Sequence, residues 1–433
     1  MQPFSVVPLA IAAAIAFPEV TSACNPAEIA PYDAYDSRVF NWQYYLNQNP
    51  DLIPAGLYTE AQAKQHWYAN GICEGRSAHP NFHSKQYLAG YSDVNTHFGG
   101  RRSGAIRHYL QSGISEGRYG YNPYEVNGQW GKWVARNTPF SPHSADLLTV
   151  SGSTRTAGTI DSVFWKGKEY INSWDHGRQL QPAVFVNGDG ICNNPTMAGG
   201  DYDGVQPTTH STRTYTNSSG STVVSKVLAA YWTAPGQIVP KFYCPLRPET
   251  YPGSGQVKAV NTKHTSDYKI ETTVTAGYKY PNVIKYYTYI VIPEYVTGLM
   301  TEAVTGYLPG DMSYFYAYDL AGQKTLTALS IDAEQNKPLV VSNAGGDKAM
   351  GIWSPGLPQP GLPTELLKYG YGIGHHPSSN PIESTMKWNV VYRHGAANAG
   401  AVYGYTTYIV LGSKTEVTGR MDQIYTDWKN GRL

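Results

Sequence analysis

A mainly β protein, a large antiparallel β-sandwich preceded by a small α-helical domain, is predicted by three observations on this chain of 433 residues. Beyond about residue 145, short runs rich in Val, Ile, Thr and Tyr are separated by Gly- and Pro-containing turns, with almost no helix between them. Hydrophobic residues make up 41% and aromatics 13%, while only 15% of residues are charged, so the chain can build a core and is not disordered. Residues 38–120 have a different texture, an internal repeat with helical start and stop signals.

Taken in order, residues 1–23 read as a secretory signal peptide. Val6 to Phe17 is apolar over the length of an h-region, and Thr21-Ser22-Ala23 supplies small residues for cleavage; Ala16 is the alternative site. The apolar run is too short to span a bilayer and no later stretch is long enough. Secretion agrees with four cysteines, Cys24, Cys73, Cys192 and Cys244. The economical pairing is Cys24 with Cys73 and Cys192 with Cys244, one of three possible connectivities. A net charge of +1 gives no electrostatic case for a nucleic acid or an anionic membrane as partner.

Residues 24–121 form the expected helical domain with two 42-residue repeats. Tyr45-Leu46 recurs as Tyr87-Leu88, Asp51 as Asp93, His66-Trp67 as His108-Tyr109, and Gly71-Ile72-Cys73-Glu74-Gly75-Arg76 as Gly113-Ile114-Ser115-Glu116-Gly117-Arg118. Thr59 to Gln62 is a capping box, and Gly71 is placed to end its helix in a left-handed conformation; Ser103 and Gly113 take those parts in the second copy. Gly113 to Gly117 also matches the Gly-x-Ser-x-Gly nucleophile pattern, but a helix–turn setting and Cys73 at the matching position reject it. These motifs resemble a short tandem repeat found as an accessory module in bacterial secreted and surface proteins, which implies attachment or spacing.

Residues 122–144, with their turn-forming dipeptides, read as a linker that packs partly through Trp130 and Trp133. The sandwich spans residues 145–433. Thr156 to Trp165 and Glu169 to Asn172 read as a hairpin turning at Lys166-Gly167, and Thr222–Thr233, Lys269–Ala276, Val283–Ile292, Leu339–Ser342, Ala349–Trp353, Met386–Arg393 and Ala401–Leu411 as further strands. Ser413 to Glu416 is a capping box opening one C-terminal helix.

The run Gly158 to Ile171 (Gly-x-Ile-x-Ser-x-x-Trp-x-Gly-Lys-Glu-Tyr-Ile), followed by Asp175-His176-Gly177-Arg178-Gln179-Leu180-Gln181 and Asn194-Pro195-Thr196, resembles a poorly characterised family of secreted proteins. The strand pattern is similar to the galactose-mutarotase-like supersandwich, shared by sugar epimerases and by β-domains of several polysaccharide lyases and hydrolases. The resemblance implies carbohydrate work.

Trp174 to Gln181 is the densest polar cluster. On an extended strand His176, Arg178 and Leu180 would share one face, and Gly177 would mark a bulge or a close backbone approach. Arg178 suits a bidentate clamp on a uronate or sulfate, and His176 suits acid–base work; the structural alternative is an Asp175–Arg178 ion pair pinning two sheets. The candidate catalytic residues are Asp175, His176, Arg178, Gln179 and Glu302, the last because a glycosidase needs a second carboxylate. Candidate substrate contacts are Trp174, Gln181, Asn194, Tyr307, Trp353, Lys387 and Trp388. Asp201 and Asp203 lie in a glycine-rich loop without full calcium spacing, and no metal or other cofactor is expected. The sequence therefore predicts a secreted protein that hydrolyses or eliminates an extracellular glycan, or, alternatively, a non-enzymatic glycan-binding, adhesive or wall protein.

Overall fold

In the computed structural model, residues 28–120, 132–137, 146–205, 208–356, 367–376, 378, 380 and 382–433 are described, so the expected signal peptide and Cys24 lie outside. Strands β1 (Lys132–Arg136), β2 (Thr149–Ser153), β3 (Ile160–Trp165) and β4 (Lys168–Glu169) form a four-stranded sheet in that order. The strands β5 (Gln181–Val186), β6 (Pro195–Thr196), β7 (Thr212–Ser219) and β8 (Thr222–Tyr231) open the main sheet. β9 (Ile238–Pro240) and β10 (Gln256–Lys258) pair as a separate ribbon. The main sheet continues through β11 (Thr265–Ala276), β12 (Val283–Val291), β13 (Leu299–Pro309), β14 (Tyr314–Tyr318), β15 (Leu326–Leu329) and β16 (Ala333–Gln335). It is completed by β17 (Leu339–Ser342), β18 (Ala349–Trp353), β19 (Leu367–His376), β20 (Thr385–His394) and β21 (Val402–Gly412).

This antiparallel sheet has 15 strands in the order β15-β14-β17-β18-β21-β12-β11-β8-β6-β5-β13-β20-β19-β16, with β7 added on β8. Its two end strands, β15 and β16, are joined by residues 330–332 alone. The sheet must therefore turn back on itself and stack its halves, which makes a sandwich. Contacts cross between the halves. Phe315 and Tyr371 lie 5.9 Å apart, Tyr286 donates to the Leu180 carbonyl (3.1 Å), and Thr288 donates to the Ala303 carbonyl (2.6 Å). One apolar core fills the interior from Trp133 to Leu411.

Several elements differ from the sequence reading. Lys132–Arg136, inside the expected linker, is an edge strand with Trp133 buried, while the flanking residues lie outside those described. Gln181–Val186 and Leu299–Pro309 are strands that apolar runs buried on both faces hide from a period-two pattern. Trp174 to Gln179 is a turn rather than a strand, since Gly177 sits at φ +102° with the Trp232 ring where a Cβ would be (2.3 Å).

The helical unit runs from the short turn at Pro31 to about Ile114, with its own core around Tyr45, Trp67, Tyr87 and Tyr109. Its contacts recur 42 positions apart: Tyr45 OH meets His66 Nδ1 at 2.8 Å, and Tyr87 OH meets His108 Nδ1 at 2.9 Å. Arg76 pairs with Asp51 (2.8 Å) and Glu74, and Arg118 pairs with Asp93 (2.7 Å) and Glu116 (2.5 Å). Thr59 forms its capping box with Gln62, and Ser413 forms one with Glu416.

Two helix-end expectations are corrected. Gly71 and Gly113 stay right-handed, and the left-handed glycines are Gly75 (φ +65°) and Gly117 (φ +72°). Gly71 and Gly113 are small for a different reason, because a Cβ on either would stand 2.2 Å from the Tyr45 or Tyr87 hydroxyl. Ser103 lies inside its helix, donating to Glu28 (3.1 Å), and Arg101 is the N-cap.

The helical unit is docked on the first sheet. Asn47 donates to the Ile171 carbonyl (3.0 Å), Arg136 to that of Pro80 (3.0 Å), and Thr149 to Asn81 (2.8 Å). Beneath them, Glu169 is fully buried and takes hydrogen bonds from Ser162 (2.6 Å) and the Val163 (2.9 Å) and Ile171 (3.0 Å) amides. Burial, outweighing these donors, raises its carboxyl from 4.5 to about 7.

Two expected outcomes follow from this packing. Gly71→Ala destabilises the fold by about 1–3 kcal/mol in denaturant titration through overpacking. Gly90→Ala, where nothing lies within 4 Å, does not, and equal losses would contradict the assignment. Because the folded protein holds the Glu169 proton above its unfolded value, the stability from this group is full below about pH 4.5 and lost as pH rises through 7. Glu169→Gln mimics the protonated acid, so its stability relative to wild type rises across that window by a few kcal/mol; a pH-independent difference would refute the buried-acid account.

Candidate functional site

The site is built on three strands whose outward faces meet. On β20 Lys387 and Asn389 alternate with the core residues Met386, Trp388 and Val390. Across the ladder Tyr307 pairs with Lys387, Thr305 with Asn389, and Gln181 of β5 with Thr305. Glu302 would point into the core if β13 were regular, since it lies three residues before Thr305. A β-bulge prevents this. Glu302 pairs with Val391 and Val304 with Val390, so Ala303 is an extra residue and Glu302 joins Thr305 and Tyr307 on the outer face.

Gln181, Glu302, Thr305, Tyr307 and Lys387 floor a cavity of about 550 Å³. Arg178 and Gly177 form one wall, and Asn194, Asp201, Trp232 and Thr233 another. Ile238, Val239, Pro240 and Tyr243 make the roof. The roof is tied down by the Cys192–Cys244 disulfide, the pairing the spacing predicts, and by the Arg247–Asp189 ion pair. Cys73 is also disulfide-bonded.

Within the cavity, Glu302 accepts hydrogen bonds from Asn389 (2.7 Å), Lys387 (3.3 Å) and Thr305. The Lys387 ammonium stands 5.4 Å over the Tyr307 ring. Burial works against its charge, yet Glu302 and Tyr307 hold it above its ordinary value. Burial likewise keeps the Tyr307 phenol above its usual range, against the pull of Lys387. Arg178 donates from Nη1 to the Glu383 carbonyl (3.0 Å) and to Thr385 (3.1 Å), and its Nε lies 3.3 Å from Asp175. Its Nη2 donates no hydrogen bond among the described residues. Asn194 is buried on the cavity wall, and its Oδ1 has no partner there.

The structure thus brings together Arg178, Gln181, Asn194, Glu302, Tyr307 and Lys387, and places the other candidates elsewhere. Asp175 lies behind the guanidinium, and burial raises its carboxyl to about 6 against the pull of Arg178. His176 is wholly buried off the cavity, and burial with nearby Arg155 lowers its imidazole to about 4. Gln179 is a loop brace, bonded to Ser173 (2.7 Å), the Asp175 carbonyl (2.6 Å) and the Gly177 amide (2.8 Å). Gln181 spends its amide on the Gly177 carbonyl (2.6 Å) and the Ala198 amide (2.7 Å).

None of the three candidate tryptophans lines this cavity. Trp174 packs on the helical core, its ring 6.4 Å from Tyr58. Trp353 stacks on Tyr408 (5.6 Å) under the C-terminal helix Lys414–Lys429. Trp388 fills the core beneath Gly306, on the opposite face from Lys387. Asp203 is buried and accepts from Thr209 (3.1 Å) and His210, which makes it a loop brace. Among the described residues, no group of three or more His, Cys, Asp or Glu is arranged to hold a metal ion, and no helix is long and apolar enough to cross a membrane.

Tyr243 and the Ile238–Pro240 strand escape the sequence reading. The available signal was Phe242-Tyr243 beside Cys244, an aromatic pair next to a stapled cysteine.

No family model and no curated protein matches the sequence. Among solved structures, the chain is similar to an aldose epimerase homologue from C. elegans at 8% identity, over 65% of this chain and 99% of that one, with a TM-score of 0.33. It is similar to galactose 1-epimerase from Lactobacillus acidophilus at 8% identity, over 65% and 98%, with a TM-score of 0.32. It is also similar to the heparan sulfate lyase HepC from Pedobacter heparinus at 9% identity, over 88% of this chain and 55% of the lyase, with a TM-score of 0.38.

Proposed function

We propose that this is a secreted, carbohydrate-active protein whose cavity on the β5–β13–β20 face receives an acidic saccharide. The observation that carries the reading is the meeting, in one cavity, of the Lys387 ammonium and the Arg178 guanidinium, whose Nη2 donates no hydrogen bond among the described residues. A uronate carboxylate or a sulfate offers planar or clustered oxygens to the two cations, and charge-assisted bonds of this kind are the strong ones. Sugar hydroxyls donate to Asp201 and Glu302, while Trp232, Tyr243 and Tyr307 offer ring faces to the sugar's C–H surface. The volume lies in the usual range for a ligand site. The disulfide and the expected signal peptide support an extracellular setting, and the helical unit is read as a separate spacing or attachment domain at residues 24–121.

Recognition fits this geometry better than turnover. Both Glu302 oxygens already accept hydrogen bonds, Asp175 is turned behind Arg178, and His176 and Gln179 do not reach the cavity. A second reading, hydrolysis, is favoured by one observation: Glu302 and Asp201 both line the cavity, and a glycosidase works with two carboxylates.

Titration calorimetry against acidic and neutral oligosaccharides, with product analysis, tests both. The expected result is binding of uronate-containing oligosaccharides without new reducing ends or unsaturated uronates. Lys387→Met weakens this binding roughly tenfold or more, as the loss of a charge-assisted hydrogen bond implies, while circular dichroism stays unchanged. New reducing ends that vanish in Glu302→Gln would move the assignment to hydrolysis. No binding of any acidic or neutral saccharide would sink the proposal.

A further inference from the structure

Among the described residues, the segment that roofs the cavity carries several exposed large apolar side chains. Phe242 is 73% exposed, Leu246 67%, Tyr251 57%, Tyr243 45% and Ile238 37%. Large side chains this exposed, on one short stretch, mark a contact surface rather than scattered surface hydrophobics. The stretch is also stiff. Cys192, Val239, Cys244 and Val257 make a small core of their own, the Cys192–Cys244 bond crosses it, and Arg247 pairs with the buried Asp189. The rings of Phe242 and Tyr243 lie 4.1 Å apart at 39°. Rings presented on a stapled segment lose little conformational freedom when something covers them.

The same segment is continuous with the cavity. Tyr243, Ile238 and Pro240 line the cavity, and two of them are also among the exposed side chains at its mouth. We infer that Phe242, packed on the cavity-lining Tyr243, forms an outer subsite for sugar residues that follow those held in the cavity. The ligand is then a chain of several sugars that leaves over the Phe242–Tyr243 rim, and it is not a free monosaccharide. This inference rests on the saccharide reading of the cavity. The occupant follows from continuity: a chain leaving past Tyr243 meets Phe242 next, and amphipathic sugar rings stack on aromatic faces.

The test measures affinity for uronate oligosaccharides of two, four and six residues, in wild type and in Phe242→Ala. Phe242 is exposed and outside the cavity lining, so its truncation leaves the fold and the inner site intact. The expected result is a gain of roughly three- to tenfold from two residues to four or six in wild type, the size of one aromatic contact. In Phe242→Ala that gain disappears while disaccharide affinity stays within about twofold. Disaccharide binding with no dependence on length in wild type would overturn the outer subsite and leave the cavity reading standing. Binding of no saccharide at any length would overturn both. A wild-type dimer that Phe242→Ala turns into a monomer in sedimentation would reassign the rim to self-association and overturn the inference.

Discussion

An extra residue in one strand, Ala303 of β13, decides which face of the sheet carries Glu302. In a regular ladder that paired Ala303, without the bulge, the carboxylate would enter an apolar core beside Val304 and Leu308, where an ionised group has no adequate solvation. With it, Glu302 reaches Asn389, Lys387 and Thr305, and a three-strand surface acquires both a charge network and a concavity. The bulge is itself satisfied. The Ala303 carbonyl accepts from Thr288 of the opposite layer, so this irregular stretch keeps a partner for one of its buried acceptors.

Around that floor, two unrelated devices fix the walls. On one side the disulfide holds the roof segment over the cavity. On the other, Asn172 acts as a junction: its backbone amide donates to the Tyr307 carbonyl (2.7 Å), and its side-chain amide donates to the carbonyls of Ile382 (2.7 Å) and Ser384 (3.0 Å) and to Thr385 (3.0 Å). Thr385 and Glu383 in turn hold the Arg178 guanidinium. The helical unit reaches the same place, since Trp174 and Ile382 pack in its core. Its docking therefore bears on where Arg178 points, although none of its residues lines the cavity.

Much of the fold was legible because local chemistry and tertiary structure agree. Leu339–Ser342 and Ala349–Trp353 are strands to the residue, as short apolar runs closed by turns. The capping boxes at Thr59 and Ser413 mark real helix starts, and the Lys166-Gly167 turn takes the positive φ values its hairpin needs (46° and 77°). Arg178, Glu302 and Lys387 were legible as candidates because charge is scarce in this chain, so each buried charge has a reason to be there. The candidates that the fold places away from the cavity have one physical source in common. Trp353 and Trp388 are aromatic residues on strands, and only the closure of the sheet tells which face is inside. His176 and Gln179 belong to a turn forced by Gly177 against Trp232, a contact between residues far apart in sequence. Likewise, no local pattern in Thr301 to Tyr307 announces a bulge.

The central proposal is that the acidic residue of a saccharide sits on the bulged face. A crystal structure of the protein with a uronate tetrasaccharide tests it directly. The account predicts density in the cavity, with an anionic group against Arg178 Nη2 and Lys387 Nζ. Saccharide density elsewhere on the molecule, with this cavity free of it, would contradict the account.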